Sequence, residues 1–197
     1  MSLPPPEDLY REHAVVRRLL LIYSYFVGRI RSTAELTTGN VASADDSEAI
    51  LKTARLFERF GGYHAASEEK YIFPLFRKTN MKSMVRGFIR DHREVSALTG
   101  EIITLARKRT LTQAQRYDLA DLMNSVVALY RAHATHEDLA VIARLRELLT
   151  SQQLSRLSER MSEFERRRLG KHGFEDAMTT LGEIERPLCI NTRALYE

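Results

Sequence analysis

Only one cysteine occurs in the chain, Cys189 near its C-terminus. No internal disulfide can form, and no set of thiolates is available for a structural zinc site or an iron–sulfur cluster. The lone thiol points to a reducing compartment, so the cytoplasm is the expectation. No apolar run approaches the roughly 18 residues that cross a bilayer, and MSLPPPEDLY has neither a basic start nor an apolar signal core. The longest apolar cluster, LLLIYSYFV, is flanked by Arg17, Arg18 and Arg29 at helical spacing and reads as core. An excess of one charge is missing too. The formal net charge is +4, and the densest basic run, Arg166 to Arg168, follows Glu163 and Glu165 as a solvated helical face would. No nucleic-acid motif accompanies it, so nucleic acid is not an expected partner.

Glycine and proline are scarce, nine and five in 197 residues. Apolar residues recur at spacings of three and four, which predicts an all-α chain. Pro4, Pro5 and Pro6 are expected to be extended, with helix one over 7–31 carrying Leu9, His13, Val16, Leu20 and Val27 on its inner stripe. A polar stretch leads through Asp45-x-x-Glu48, a capping-box-like signal, into helix two over 47–77, which Gly61-Gly62 and Pro74 should loosen. Asn80 is expected to cap helix three over 81–108, and Thr112 with Gln115 to cap helix four over 113–149. A fifth helix follows from Thr150-Ser151 to about residue 169, a short sixth over 174–184, and then a tail. Short connections imply antiparallel neighbours: an up-down-up-down four-helix bundle over 7–149, with 150–197 packed outside it as one or two extra C-terminal helices.

What the chain does hold is histidine and glutamate in register. His13, His64, His92 and His133 fall one to each of the four long helices, and two of them open His-x-x-x-Glu, to Glu68 and to Glu137. Residues four apart share a helical face, so each pair presents an imidazole and a carboxylate in one direction. Counted from the turns, His13 is level with His64 and Glu68 with His92. His133 is out of step with His92 by roughly one helical turn, which boundary shifts of about two residues at each end would remove. Six such groups in one core, with nothing to bind, would cost several kcal/mol of desolvation. A metal cage is therefore expected from His13, His64, Glu68, His92, His133 and Glu137, with room for two ions. Imidazole and carboxylate together suit redox-active non-haem iron. His136 and His172 fall outside the inward register and are expected at the surface or behind the ligands. Asp138 could replace or supplement Glu137. Of Tyr10, Tyr23, Tyr63, Tyr71 and Tyr130, most are expected as core aromatics, and one or two could hydrogen-bond a ligand.

Over roughly residues 7–149 the order His13, His64-x-x-x-Glu68 with EEKYIFPLF, Asp91-His92, and His133-x-x-x-Glu137 resembles the hemerythrin-like family in its His-His-Glu cation-binding branch. It is close to the di-iron domain of bacterial iron–sulfur-cluster repair proteins. The resemblance implies a non-haem di-iron site in which Glu68 and Glu137 bridge two irons anchored by the four histidines. Oxygen-carrying members have a fifth histidine where this chain has Ser96, so simple oxygen carriage is not implied, and one iron should be more open. The expected function is binding of, or reaction with, dioxygen, nitric oxide or peroxide, in sensing, detoxification or iron handling. Two alternatives stay open. One is a di-iron redox enzyme or cluster-repair factor, which turnover would reveal. The other is a metal-free helical interaction module, which metal content would exclude.

Overall fold

The computed structural model describes residues 5–34 and 44–190, and among these every regular element is helical. Pro4, residues 35–43 of the polar stretch and the tail at 191–197 lie outside the described residues. The helices are α1 (Pro5–Ala34), α2 (Ala44–Leu56), α3 (Gly62–Ser67), α4 (Lys82–Ala106), α5 (Gln113–His136), α6 (Ala143–Leu148), α7 (Ser151–Leu169) and α8 (Gly173–Leu188). Wide π-helical turns at Phe57–Gly61 and Glu137–Ile142 join α2 to α3 and α5 to α6, and a third at Glu68–Ile72 leads from α3 into a 3-10 turn, Phe73–Phe76. The result is four rods, packed α1 on α2, α2 on α4, α4 on α5 and α5 on α1, an antiparallel up-down-up-down bundle.

Two apolar clusters fill the bundle, and each rod contributes to both. The larger holds Tyr23, Phe26, Phe57, Phe60, Ile102, Leu119 and Met123. The smaller holds Leu9, Ile72, Phe76, Val85, Phe88, Val141 and Leu145. Along α1 the clusters part between Leu9 and Val15, along the second rod between Tyr63 and Ile72, along α4 between Phe88 and Val95, and along the fourth rod between Ala134 and Val141. Five of the six predicted site residues fall in those gaps, and the sixth, His133, stands one residue before the last of them. Burial of the two clusters thus fixes a polar layer across the middle of the core.

Beyond the bundle, α7 packs on α1 and α3, and α8 on α1 and α2. A buried two-pronged pair ties α8 down: Arg18 Nε and Nη2 donate to the two Glu185 oxygens, at the edge of an apolar seam of Ala177, Leu181 and Ile184. Gly170, at φ 97°, ends α7 in a conformation that disfavours side chains. Gly173 is needed for space, since a Cβ there would sit 2.3 Å from Leu169 Cβ.

Several expected boundaries move. Pro5 and Pro6 are not extended but open α1, where their missing N–H groups have no helical partner to lose. α2 starts at Ala44, three residues ahead of the expected start, and Glu48 pairs with Lys52 at 2.9 Å; the Asp45 side chain of the expected capping box lies outside the described residues. Asn80 does not cap α4; Thr79 does the nearby work, its hydroxyl accepting from the Met81 N–H. The Thr112–Gln115 box forms as read, and Thr150–Gln153 makes a second one at α7 that the sequence reading missed. α8 runs four residues past the predicted end, to Leu188.

Candidate metal centre

The six residues meet. His13, His64, Glu68 and Glu137 each offer an atom to one group whose members lie within 4.8 Å of one another, and Glu68, His92, His133 and Glu137 form a second such group. Both carboxylates belong to both groups. All six side chains are buried. Glu68 Oε2 lies 3.4 Å from both His64 Nε2 and His92 Nε2. Glu137 Oε2 lies 3.5 Å from His13 Nε2 and 3.1 Å from His133 Nε2. Glu68 and Glu137 are each the first residue of a π-helical turn. Such turns often mark functional sites, because they re-aim the residues that follow.

The register discrepancy between α4 and α5 is real and is not removed by boundary shifts. His92 is 14 residues from Ala106 and His133 is 20 from Gln113, so the connection at 107–112 must run on past the end of α4 to absorb the difference. The two imidazoles nevertheless face each other, Nε2 to Nε2, at 3.1 Å.

Behind the imidazoles stands a ring of carboxylates that the sequence reading did not find. Glu12 Oε2 accepts from His64 Nδ1 at 2.7 Å, Glu69 Oε1 from His92 Nδ1 at 3.0 Å, and Asp138 Oδ1 from His13 Nδ1 at 2.7 Å. Asp91 Oδ2 stands 3.5 Å from His133 Nδ1. Each of these acids is the chain neighbour of a cage residue yet serves a histidine on the next rod. Glu12 of α1 reaches the second rod, Glu69 of that rod reaches α4, Asp91 of α4 reaches α5, and Asp138 beyond α5 closes the ring on α1. Asp138 therefore neither replaces nor supplements Glu137; it orients His13, and Arg17 in turn holds it. The signal was present as an acid beside His13, Glu68, His92 and Glu137, but spacing alone does not say which way such an acid points.

A carboxylate on Nδ1 fixes the N–H there and leaves the Nε2 lone pair facing inward, the tautomer a metal ligand needs. The inward atoms are short of partners. Nε2 of His13 and His64, Oε2 of Glu68 and both Glu137 oxygens are buried without a hydrogen bond. Two Nε2 lone pairs 3.1 Å apart, ringed by two carboxylates, repel unless a cation lies among them. The donor set fits metal ions.

The electrostatics agree. Burial, with the Glu137 charge added, pushes the Glu68 carboxyl up to about 8, while the surrounding imidazoles oppose the rise. Glu137 resists the same burial and is held below the ordinary carboxylate range by His13 and His133. Burial works against a charged His13, yet Asp138 and Glu137 outweigh it and raise that imidazole to about 10.

Other predicted residues fall away from the centre. His136 and His172 are exposed. Tyr10 is on the surface, Tyr71 packs on Phe164 of α7, and the Tyr63 hydroxyl donates to Glu12 Oε1 at 2.9 Å. Tyr23 is stacked against Phe57 in the core. Tyr130 comes nearest, its ring 5.0 Å from that of His133 and its hydroxyl buried without a hydrogen bond. Ser96 is exposed and lines a cleft of about 350 Å³ that also reaches His92 and Tyr130. No described helix is long and apolar enough to cross a membrane.

Comparison with known proteins gives the same answer. A protein of Mycobacterium bovis and proteins of two Mycobacterium tuberculosis strains, all described as uncharacterized, are 28% identical to this chain, over 94% of it and 70% of their own length. No solved structure matches. The profile of the hemerythrin HHE cation binding domain matches residues 5–145, a span that contains all six residues of the cage, and this chain belongs to that cation-binding family.

Proposed function

We propose that His13, His64, Glu68, His92, His133 and Glu137 hold two iron ions, and that the chain binds or reacts with dioxygen, nitric oxide or peroxide, in sensing, detoxification or iron handling. The observation that carries this reading is the sharing of Glu68 and Glu137 between two ligand groups, which is what a carboxylate-bridged pair of ions requires. A non-haem iron pair supplies redox equivalents and coordination positions open to small ligands. The protein's part is to present neutral imidazoles through the Nδ1 carboxylates, to supply two anionic bridges, and to keep water out with apolar layers on either side. Residues 7–149 are the metal-holding unit in this proposal, and 150–197 a packed extension. The mycobacterial relatives share more than residues 5–145 can account for, since they match 94% of the chain, and this supports reading the extension as part of the same design. A reducing cytoplasm suits the exposed, unpaired Cys189. The test is to load the reduced protein with iron anaerobically and record spectra on exposure to each of the three ligands. A change with at least one is expected; silence with all three overturns the redox reading in favour of storage or structure.

A pH dependence follows. In the metal-free protein Glu68, at about 8, and His13, at about 10, both titrate above their ordinary values of 4.5 and 6.5. Between about pH 5 and 8 the folded chain therefore holds more protons at these groups than the unfolded chain, and they make it less stable as pH rises. Metal must displace those protons, so its affinity rises with pH. The gap in Tm between metal-loaded and metal-free protein should widen steadily from pH 5.5 to 8. A gap that is constant or narrows would contradict this proton competition.

A further inference from the structure

The proposed iron pair needs a source of electrons. Oxidation of the pair by dioxygen or peroxide leaves ferric ions that cannot repeat the step, and the chain's one thiol, Cys189, cannot supply a reducing pair. Electrons must therefore enter from outside, and their transfer through protein falls off steeply with distance. One packed file of side chains leads from the cage to the surface. Glu12 Oε2 accepts from His64 Nδ1 at 2.7 Å, and Glu12 Oε1 accepts from the Tyr63 hydroxyl at 2.9 Å. The Tyr63 ring packs on Phe164 of α7 at 6.0 Å between centroids, and Phe164 meets Tyr71 edge to face at 5.6 Å. Tyr71 is half-buried, at the seam between the second rod and α7.

Cations gather where that file surfaces. Lys70 Nζ stands 5.1 Å from the Tyr71 ring and 4.7 Å from that of Phe164, the Arg160 guanidinium 5.1 Å from Tyr71, and the Arg168 guanidinium 5.5 Å from Phe164. All three cations are exposed. Stacking on rings fixes where they stand without neutralising them. Arg166 and Arg167 are paired with Glu163, whereas Lys70, Arg160 and Arg168 form no ion pair among the described residues. The acids nearby are turned elsewhere. Glu69 accepts from His92, Glu165 lies 3.6 Å from Arg11, and Glu159 is about 140° round α7 from Phe164. Arg156, Arg160 and Arg168 recur at multiples of four, and like charges at that spacing destabilise a helix. The positive charge along this edge is left for a partner to offset.

We infer that this seam is the docking surface for a small acidic electron-carrier protein, which seats its anionic rim on Lys70, Arg160 and Arg168 and passes electrons inward at Tyr71. Each electron reduces one ferric ion to ferrous, with no bond made or broken. The inference rests on the iron reading above. Charge complementarity of this kind raises association rates by about one to three orders of magnitude and fades with salt.

Flavodoxin, an acidic one-electron carrier, is the probe. In about 0.1 M salt, metal-free protein should bind it, and iron-loaded, oxidised protein should reoxidise reduced flavodoxin in stopped flow at a second-order rate that falls as salt is added. Arg160→Glu with Arg168→Glu should weaken the binding and slow the rate about tenfold or more. Arg160→Lys with Arg168→Lys, which keeps the charge, should retain most of both. Arg109→Glu with Arg131→Glu changes the net charge equally at exposed positions on other segments. That control should cost about threefold at most, since charges more than about 10 Å away are screened. Equal losses in the two charge-reversal pairs, or unaltered binding with Arg160→Glu and Arg168→Glu, overturn the inference while leaving two irons in place. Wild type that fails to bind flavodoxin overturns it whatever the variants do. Wild type that holds no iron overturns the iron reading itself, and the inference with it.

Discussion

Glu68→Ala should strip both metal ions from the chain. The carboxylate lies within 4 Å of three of the four histidines, with Oε2 3.4 Å from His64 and His92 and Oε1 3.9 Å from His13. Its loss removes an anion from both positions at once and leaves the repulsion between the two cations less screened, in a buried setting where such terms are large. Metal content is expected to fall from about two per chain to well under one. The fold should not follow it. Burial already pushes the Glu68 carboxyl up to about 8, so at neutral pH the metal-free protein holds it largely uncharged. Glu68→Gln, which keeps the shape, should therefore melt no lower than metal-free wild type. Elemental analysis beside thermal melts separates the two effects, and a Glu68→Ala protein that still holds two ions would end the bridging account.

Removing everything after Thr150 should be nearly as damaging, this time to the fold. The cut takes away Leu157, Met161, Leu169, Ala177, Leu181 and Ile184, all buried, and the Glu185 partner of buried Arg18. At roughly 1.5–3 kcal/mol for each large apolar side chain, the loss is on the order of 10 kcal/mol. That is comparable to the whole net stability of an ordinary domain, about 5–15 kcal/mol. The centre should suffer as well, because Tyr63, which holds Glu12 behind His64, packs on Phe164 of α7 with ring centroids 6.0 Å apart. The truncated chain is expected to lose its cooperative melting transition without metal and to bind metal at least tenfold more weakly. A truncation that melts cooperatively within a few degrees of the full chain would show instead that the bundle stands alone.

Periodicity carried most of the architecture. Four amphipathic segments with one histidine apiece leave little freedom: the apolar stripes set the bundle, and the ligands, lying on those stripes, must face inward. His-x-x-x-Glu worked for the same reason, since a spacing of four fixes direction on a helix. The π-helical turns did not show in the pattern, because one extra residue in a turn shifts the stripe by less than the tolerance of such a reading. They begin at Glu68 and Glu137, where the departure from a regular helix matters most. The ring of Glu12, Glu69, Asp91 and Asp138 was illegible for another reason. A residue beside a ligand points about a quarter-turn away along the helix, toward a neighbouring rod, and which rod it meets is a fact of packing. Asn80 failed as a cap because Thr79, one residue earlier, already closes the turn with its hydroxyl.

The central claim is that one cage of six residues holds two ions. It is tested most directly by the iron content of the full chain after anaerobic reconstitution and removal of unbound metal, measured by elemental analysis against protein concentration. The account predicts about two irons per chain for wild type. A value of one or none in a folded chain would contradict it.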